Sequence, residues 1–267
     1  MNSQLRAVAT VYVFLQLLVG WVLIWLLQSL AKLVLFPFTT FNTRCDICGH
    51  IMRKLSFLTV DVLNPLWSTT ILRPFPKMNS GHFLVAMNHL SNADPWIAIR
   101  PILPWDCKWV CKGSLFKIPF GGWALANSGD LEVRFTAEKD GWGTEKGSVS
   151  SMMNNAKTLL GRGQPIAVFP EGIRSKNPDG DLNEFKLGFF MLAVETNTPV
   201  VPIAFSGSEK AWPRGTWMFD RASIYCSCGD AISPVGLTPE QLRDKTVEAV
   251  RQMRETHPDR VALRKTK

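Results

Sequence analysis

The first strong pattern in the chain is a run without charge. From Ala7 to Ala31 no side chain is ionised, and most are Val, Leu, Ile, Trp or Phe. An α-helix rises about 1.5 Å per residue, so about twenty such residues cross a hydrocarbon core. Lys32 closes the run, and apolar residues resume as far as Phe36-Pro37-Phe38. The pattern predicts an N-terminal apolar helical membrane anchor within residues 1–55. Two geometries fit: a helix that spans, or a helical hairpin that dips into one leaflet with its break near Gly20 or Pro37. A cleaved signal peptide is the next reading, because Ser29-x-Ala31 satisfies the small-residue rule; the lone Arg6 and the length of the run weigh against it. A buried helix of a soluble core is the third. For a spanning helix, Lys32, Arg44, Arg53 and Lys54 outweigh Arg6, which places the rest of the chain in the cytoplasm.

From about residue 80 the pattern alternates between short apolar runs and helical periods. His82 to Met87 predicts a buried strand. Asp94-Pro95 reads as an N-cap followed by proline at the first helical position. Ser148 to Leu160 predicts a helix, ended by Gly161-Arg162-Gly163, and Ile166 to Phe169 a short strand. A helix follows at Phe189 to Glu195, then strands at Val200 to Phe205 and Ala222 to Cys226. Thr238-Pro239-Glu240-Gln241 has the form of a capping box and opens an amphipathic helix to about Glu255. The alternation predicts an α/β fold, a mostly parallel sheet flanked by helices, over residues 56–259. The basic tail 260–267 is expected to fray.

Composition narrows the partners. A chain of 267 residues with a net charge of +8 suits an anionic ligand or surface. Nucleic acid is not expected, since zinc-finger spacing, an RRM signature and a sustained Lys/Arg run are all missing. Ten Trp residues fit either a lipid–water boundary or an aromatic core. The six Cys do not form a disulfide framework. Cys45-x-x-Cys48 has no second pair at zinc-ribbon distance, since Cys107/Cys111 and Cys226/Cys228 are spaced wrongly, so no metal site is expected. The chain has no Asn-x-Ser/Thr acceptor, which favours a cytosolic face.

Two stretches carry candidate chemistry. In Asn88-His89-Leu90-Ser91-Asn92-Ala93-Asp94, His89 is a general-base candidate and Asp94 a carboxylate that can orient it. Five residues of regular helix would turn the two about 140° apart, so the pair requires a turn between them. The plainer reading is that Asp94 only caps a helix and His89 is an incidental loop residue. In Phe169-Pro170-Glu171-Gly172-Ile173-Arg174-Ser175, Gly172 permits a positive φ and Arg174 can hold phosphate oxygens with both arms of its fork. The alternative there is a strand-to-loop turn with solvated charges.

Taken in order, the motifs resemble the membrane-bound glycerolipid acyltransferases, specifically the 1-acylglycerol-3-phosphate (lysophosphatidic acid) acyltransferases. Asn88-His89-x4-Asp94 resembles the family's N-H-x4-D block. Lys112 to Trp123 and then Gly129 to Arg134 resemble the second region, and Phe169 to Ser175 is similar to F-P-E-G-T-R-S. Phe185-Lys186-x-Gly188 follows, and Val200-Val201-Pro202-Ile203 resembles the fourth block. The resemblance covers roughly residues 80 to 210. Two departures stand out: Ile173 occupies the usual Thr position, and Asp130 and Glu132 interrupt an apolar stretch. The charged, glycine-rich segment Thr136 to Gly147 is expected to be a mobile loop beside the site.

The resemblance implies acyl transfer from a CoA or carrier-protein thioester to a glycerol hydroxyl, with lysophosphatidic acid as acceptor and phosphatidic acid as product. His89 and Asp94 would form the base. Glu171, Gly172 and Arg174 would hold the substrate phosphate, with Lys112 and Arg134 adding positive charge, and Val201 and Pro202 would line the acyl or thioester side. No G-x-S-x-G elbow is present, so no acyl-enzyme is expected. The reading requires no cofactor; acyl-CoA enters as co-substrate and the bilayer as partner. Oligomeric state is open. The expected location is the endoplasmic reticulum membrane with a cytosolic catalytic domain, with a plastid or bacterial inner membrane as alternatives. Competing functions are acylation of glycerol 3-phosphate or another lysophospholipid, a catalytically inactive membrane lipid-binding protein, and a basic peripheral scaffold.

Overall fold

The computed structural model describes residues 2–138 and 141–266. Two helices, α1 (Ser3–Leu35) and α2 (Phe41–Ser56), form an N-terminal hairpin, and α2 continues through a π-type segment, Phe57–Val62, towards β1 (Trp67–Arg73). Then come β2 (Leu84–Met87), the short helices α3 (Asp94–Ile97) and α4 (Ile99–Ile102), and β3 (Lys108–Lys112). A 3₁₀ turn (Gly113–Lys117) leads to α5 (Gly121–Asn127), β4 (Leu131–Val133) and a hairpin of β5 (Phe135–Glu138) and β6 (Gly141–Thr144). The second half holds α6 (Ser148–Gly161), β7 (Ile166–Val168), α7 (Gly188–Glu195), β8 (Val200–Ser206), α8 (Ser208–Ala211), β9 (Ala222–Cys228), α9 (Pro239–Glu255) and α10 (Pro258–Lys265).

Seven strands form one sheet in the order β1-β9-β8-β2-β7-β3-β4, and every neighbouring pair is parallel except β8 with β9. The central strands read as continuous apolar runs because both faces are covered. Alternate residues serve opposite layers. Phe83, Val85 and Met87 belong to the core with Ile97 and Phe219, while Leu84 and Ala86 belong to the core with Phe190, Leu242 and Val250. Because β2, β7, β3, β4 and β8 run the same way, the loops at their C-terminal ends open on one edge of the sheet, where ligand crevices of such sheets form.

The expected anchor is α1, the only described helix long and apolar enough to cross a membrane. It does not stand clear of the domain. Thr10, Val13, Leu17, Gly20, Ile24 and Gln28 form a buried stripe at helical spacing, and the opposite face exposes Val8, Leu15, Val19, Leu26 and Leu33. Polar groups on the stripe bond to the domain: Thr10 Oγ1 accepts from Phe219 N–H at 3.0 Å, and Gln28 Nε2 donates to Cys48 O at 2.9 Å and Ser128 Oγ at 3.0 Å. The chain breaks at Pro37 and not at Gly20. Gly20 is a point of close approach, where a Cβ would lie 3.1 Å from Thr59 Oγ1.

Two further expectations are corrected. The segment 136–147, read as a loop, contains the antiparallel pair β5–β6, with Phe135 opposite Thr144 and Glu138 opposite Gly141; residues 139 and 140 lie outside the described residues. The basic tail is helical to Lys265. Arg260 is buried, and its ion pairs with Glu255 and Asp179, at 3.4 and 3.6 Å, hold the end in place.

The C-terminal helices are pinned to the sheet by His257, fully buried between α9 and α10. Ser206 Oγ donates to Asp259 Oδ1 at 2.7 Å, so His257 Nδ1–H must donate to Ser206 Oγ at 2.8 Å, and Nε2 accepts from Ser227 Oγ at 3.0 Å. The neutral ring is satisfied at both nitrogens. Burial pushes its pKa down to about 4, against the opposing pull of Asp259. The unfolded chain therefore binds a proton that the folded chain refuses. Stability is intact above pH ~6.5 and falls as pH drops towards ~4, by roughly 3 kcal/mol for this one group. Denaturant melts at pH 7 and pH 4.5 should show the drop, and a His257→Asn variant should show a smaller one.

Candidate active site

The site begins where β2 ends. The buried side chain of Asn88 donates to Phe205 O at 3.0 Å and accepts from Phe205 N–H at 2.8 Å, replacing strand pairing with β8 and fixing how the chain leaves the sheet. The next five residues form the turn that the His–Asp spacing requires. Asp94 is fully buried, and its Oδ2 accepts from Leu90 N–H at 2.6 Å, Ser91 N–H at 2.8 Å and His89 Nδ1 at 2.7 Å. Asp94 thus bonds backwards into the turn and not forwards as an N-cap; it occupies the first position of α3, with Ala93 preceding it. An ionised Asp94 can only accept, so Nδ1 carries the proton and Nε2 presents its lone pair. Among the described residues nothing bonds to Nε2. The ring lies flat on Phe169, with centroids 4.2 Å apart and planes at 18°.

The turn after β7 grips the same residue from the other side. Glu171 Oε1 accepts from His89 N–H at 2.6 Å, its Oε2 accepts from Asn183 N–H at 3.2 Å, and His89 O accepts from Ser175 N–H at 2.8 Å. The Glu171 carboxylate is buried, which raises its pKa, while the two backbone N–H groups draw it down. Both of its oxygens are spent on bracing, so it holds the base in place. Gly172 adopts φ +70°, and the Lys186 ammonium lies 3.0 Å from where a Cβ would stand. Arg174 is half-buried. Burial, then the charge of Arg214, lower its pKa, and Asp94 raises it; an arginine nonetheless stays charged. Of the positions expected to hold phosphate, Arg174 therefore brings positive charge close to the Asp94–His89 pair, and Glu171 does not.

Four expected positions lie apart. Lys112 ends β3, two strands from β2 on the same sheet edge. Arg134 follows β4, a third strand further, roughly 14 Å across the sheet. It pairs with Glu132 and Glu145, both at 3.4 Å, and lines a separate cavity of ≈ 500 Å³ with Lys108, Asp46 and Arg162. Val201 and Pro202 are not at the edge either. They pair with Val85 and Ala86 inside the sheet, with Val201 in one core layer and Pro202 against Gly229. A fully buried central strand brings its middle residues to the core, whatever motif they belong to.

A family model described as Acyltransferase matches residues 68–206, from within β1 to the last residue of β8. The chain belongs to the Acyltransferase family. The matched stretch contains both turns around His89, and it excludes the N-terminal hairpin and the two C-terminal helices. Curated relatives of this family member include the chloroplastic 1-acyl-sn-glycerol-3-phosphate acyltransferase LPAT1 of Arabidopsis thaliana. It is 30% identical over 161 residues, 57% of this chain and 42% of that protein. The 1-acyl-sn-glycerol-3-phosphate acyltransferase of Saccharomyces cerevisiae is 27% identical over 64% of this chain and 56% of its own length, and the human alpha enzyme 28% over 60% and 53%. The match spans about half the length of these relatives. Among solved structures, the 1-acyl-sn-glycerophosphate (LPA) acyltransferase PlsC from Thermotoga maritima shares the fold at a TM-score of 0.68 and 22% identity, over 96% of this chain and 97% of that one.

Several residues of the site were not singled out by the sequence. Asn88 sits inside the first motif, but its bond to Phe205 crosses 117 residues. Lys186 was visible in Phe185-Lys186-x-Gly188. Arg214, whose Nη1 donates to Arg174 O at 3.2 Å, lies beyond the matched stretch and had no motif to mark it.

Proposed function

We propose that the protein transfers an acyl chain from acyl-CoA to the free hydroxyl of lysophosphatidic acid, giving phosphatidic acid. The observation that carries this reading is His89, tied by Nδ1 to Asp94 and open at Nε2, beside the cationic turn of Arg174. Nε2 takes the hydroxyl proton as the oxygen attacks the thioester carbonyl carbon. Asp94 stabilises the imidazolium, as in a serine-protease triad with the substrate hydroxyl in place of the serine. The C–S bond then breaks, and the imidazolium returns its proton to the thiolate. Binding the acceptor by its phosphate and the thioester together contributes by orientation. The names of the curated relatives support this acceptor.

The reading includes a membrane surface. The apolar outer face of α1 continues into exposed Phe36, Phe38 and Phe41, and beside it Trp25, Phe120 and Trp123 form an aromatic cluster with centroids 5.1–5.6 Å apart. A helix bonded to the domain from Thr10 to Gln28 cannot thread a bilayer while the domain stays in water. The hairpin therefore lies in one leaflet, with the site at the interface and, in the location we favour, on the cytosolic side of the endoplasmic reticulum.

Product identification tests the acceptor. Purified full-length protein in neutral-detergent micelles is given oleoyl-CoA with lysophosphatidic acid, glycerol 3-phosphate or lysophosphatidylglycerol. Phosphatidic acid as the dominant product supports the proposal, and a preference for either other acceptor contradicts it. Arg174→Lys should raise the acceptor KM about tenfold, because an ammonium does not reproduce the guanidinium fork. Unchanged kinetics in that variant would remove Arg174 from the phosphate site.

A further inference from the structure

Arg214 lies in the connection from α8 to β9, outside the stretch matched by the family model. Its turn is tightly specified. Gly215 adopts φ +80°, Thr216 N–H donates to Pro213 O at 3.4 Å, and Trp212 Nε1–H donates to Thr216 O at 3.1 Å. Ser91, in the turn between His89 and Asp94, donates from Oγ to Trp212 O at 3.2 Å. The same turn is held from the other side by the N-terminal helix. Phe14 packs on Trp212 and Phe219, with centroids 6.1 and 5.1 Å away. Thr10 Oγ1 accepts from Phe219 N–H at 3.0 Å, and Arg6 donates to Phe219 O at 3.0 Å and pairs with Asp220 at 3.2 Å.

The result is a second guanidinium beside the first. Arg214 bonds the backbone of Arg174, and the two side chains sense each other's charge. Among the described residues no carboxylate forms an ion pair with Arg174, Arg214 or Lys186. Like charges so placed repel until an anion joins them. A phosphomonoester loses its second proton near pH ~6 and offers three terminal oxygens to two forks. A phosphodiester carries one charge and two free oxygens.

We infer that Arg214 is a second phosphate-binding residue that sets selectivity for a phosphomonoester acceptor, and that α1 presents it. This deepens the proposed function and rests on it. The membrane-facing helix thereby helps to build the acceptor site as well as lying against lipid.

The test compares kcat and KM for lysophosphatidic acid and lysophosphatidylglycerol, in neutral-detergent micelles with oleoyl-CoA, for the wild type, Arg214→Gln and Arg214→Lys. In Arg214→Gln the ratio of kcat/KM for the monoester over the diester should fall about tenfold or more, carried by the monoester KM, with Arg214→Lys between. Wild-type KM for the monoester should rise as pH drops from 7.5 to 5.5 and the phosphate gains its proton, and that rise should flatten in Arg214→Gln. Thr10→Val should raise the same KM in the same direction, and Thr10→Ser should restore it. An unchanged ratio in Arg214→Gln overturns the inference, whether both rates hold or both fall together. A wild type that favours the diester instead overturns the proposed function, and the two failures are read from different proteins.

Discussion

Replacing His89 with alanine should lower the acyl-transfer rate by about three orders of magnitude, with little change in acceptor KM and in thermal stability. The expectation follows from the dyad. The imidazole offers an unbonded lone pair at Nε2, and its tautomer is fixed by a buried carboxylate 2.7 Å from Nδ1. The fold does not depend on that ring, since the turn is closed by Asp94 to the backbone of Leu90 and Ser91, and by Glu171 and Ser175 to the backbone of His89. Asp94→Asn should cost a comparable factor, because an amide can accept the two backbone bonds yet no longer fixes the tautomer or stabilises the imidazolium. Initial rates at saturating acceptor, beside melting curves of both variants, check this. A His89→Ala protein that keeps a tenth of the wild-type rate would show that another group takes the proton.

The largest effect on stability should come from Arg53→Met. Arg53, on α2, is buried between two carboxylates: Asp106 at 3.3 Å, and Asp130, which also accepts from Trp109 N–H at 2.8 Å. Lys108 joins the cluster through Asp106 and, at 3.6 Å, Asp46. Burial already pushes the Asp106 carboxyl above its usual range, against the pull of Arg53 and Lys108. Removing the guanidinium leaves buried negative charge without its partner, which costs about 3–5 kcal/mol. The loss should appear in denaturant unfolding near neutral pH and shrink in the double variant with Asp130→Asn. Because the cluster ties α2 to β3 and to the loop before β4, the hairpin should loosen first, seen as faster proteolysis within residues 36–56.

The sequence made the centre of the sheet and the two turns around His89 legible, and the reasons are physical. β2, β7 and residues 200–205 of β8 are unbroken apolar runs, and the Thr238–Gln241 capping box forms as its residue types require. β1 was missed because it is an edge strand with mixed exposure. β3 was missed because Lys108 and Lys112 bracket it, and a buried lysine makes sense only once its carboxylate partners are in place. Glu171 read as a phosphate-site residue because a sequence lists side chains, and the groups that occupy this one are backbone N–H donors from residues 89 and 183. The docking of α1 was hidden because an apolar residue looks the same against lipid or protein. The polar exceptions held the clue: Thr10 and Gln28 are eighteen residues apart, about five helical turns, and so share one face.

In the proposed reaction His89 deprotonates the hydroxyl of a phosphorylated acceptor for attack on a thioester. The most direct measurement is thiol release from oleoyl-CoA by detergent-solubilised full-length protein, with and without lysophosphatidic acid, beside His89→Ala. Release should depend on the acceptor and disappear in the variant. Release that proceeds equally without acceptor, or that survives in His89→Ala, would contradict that reaction.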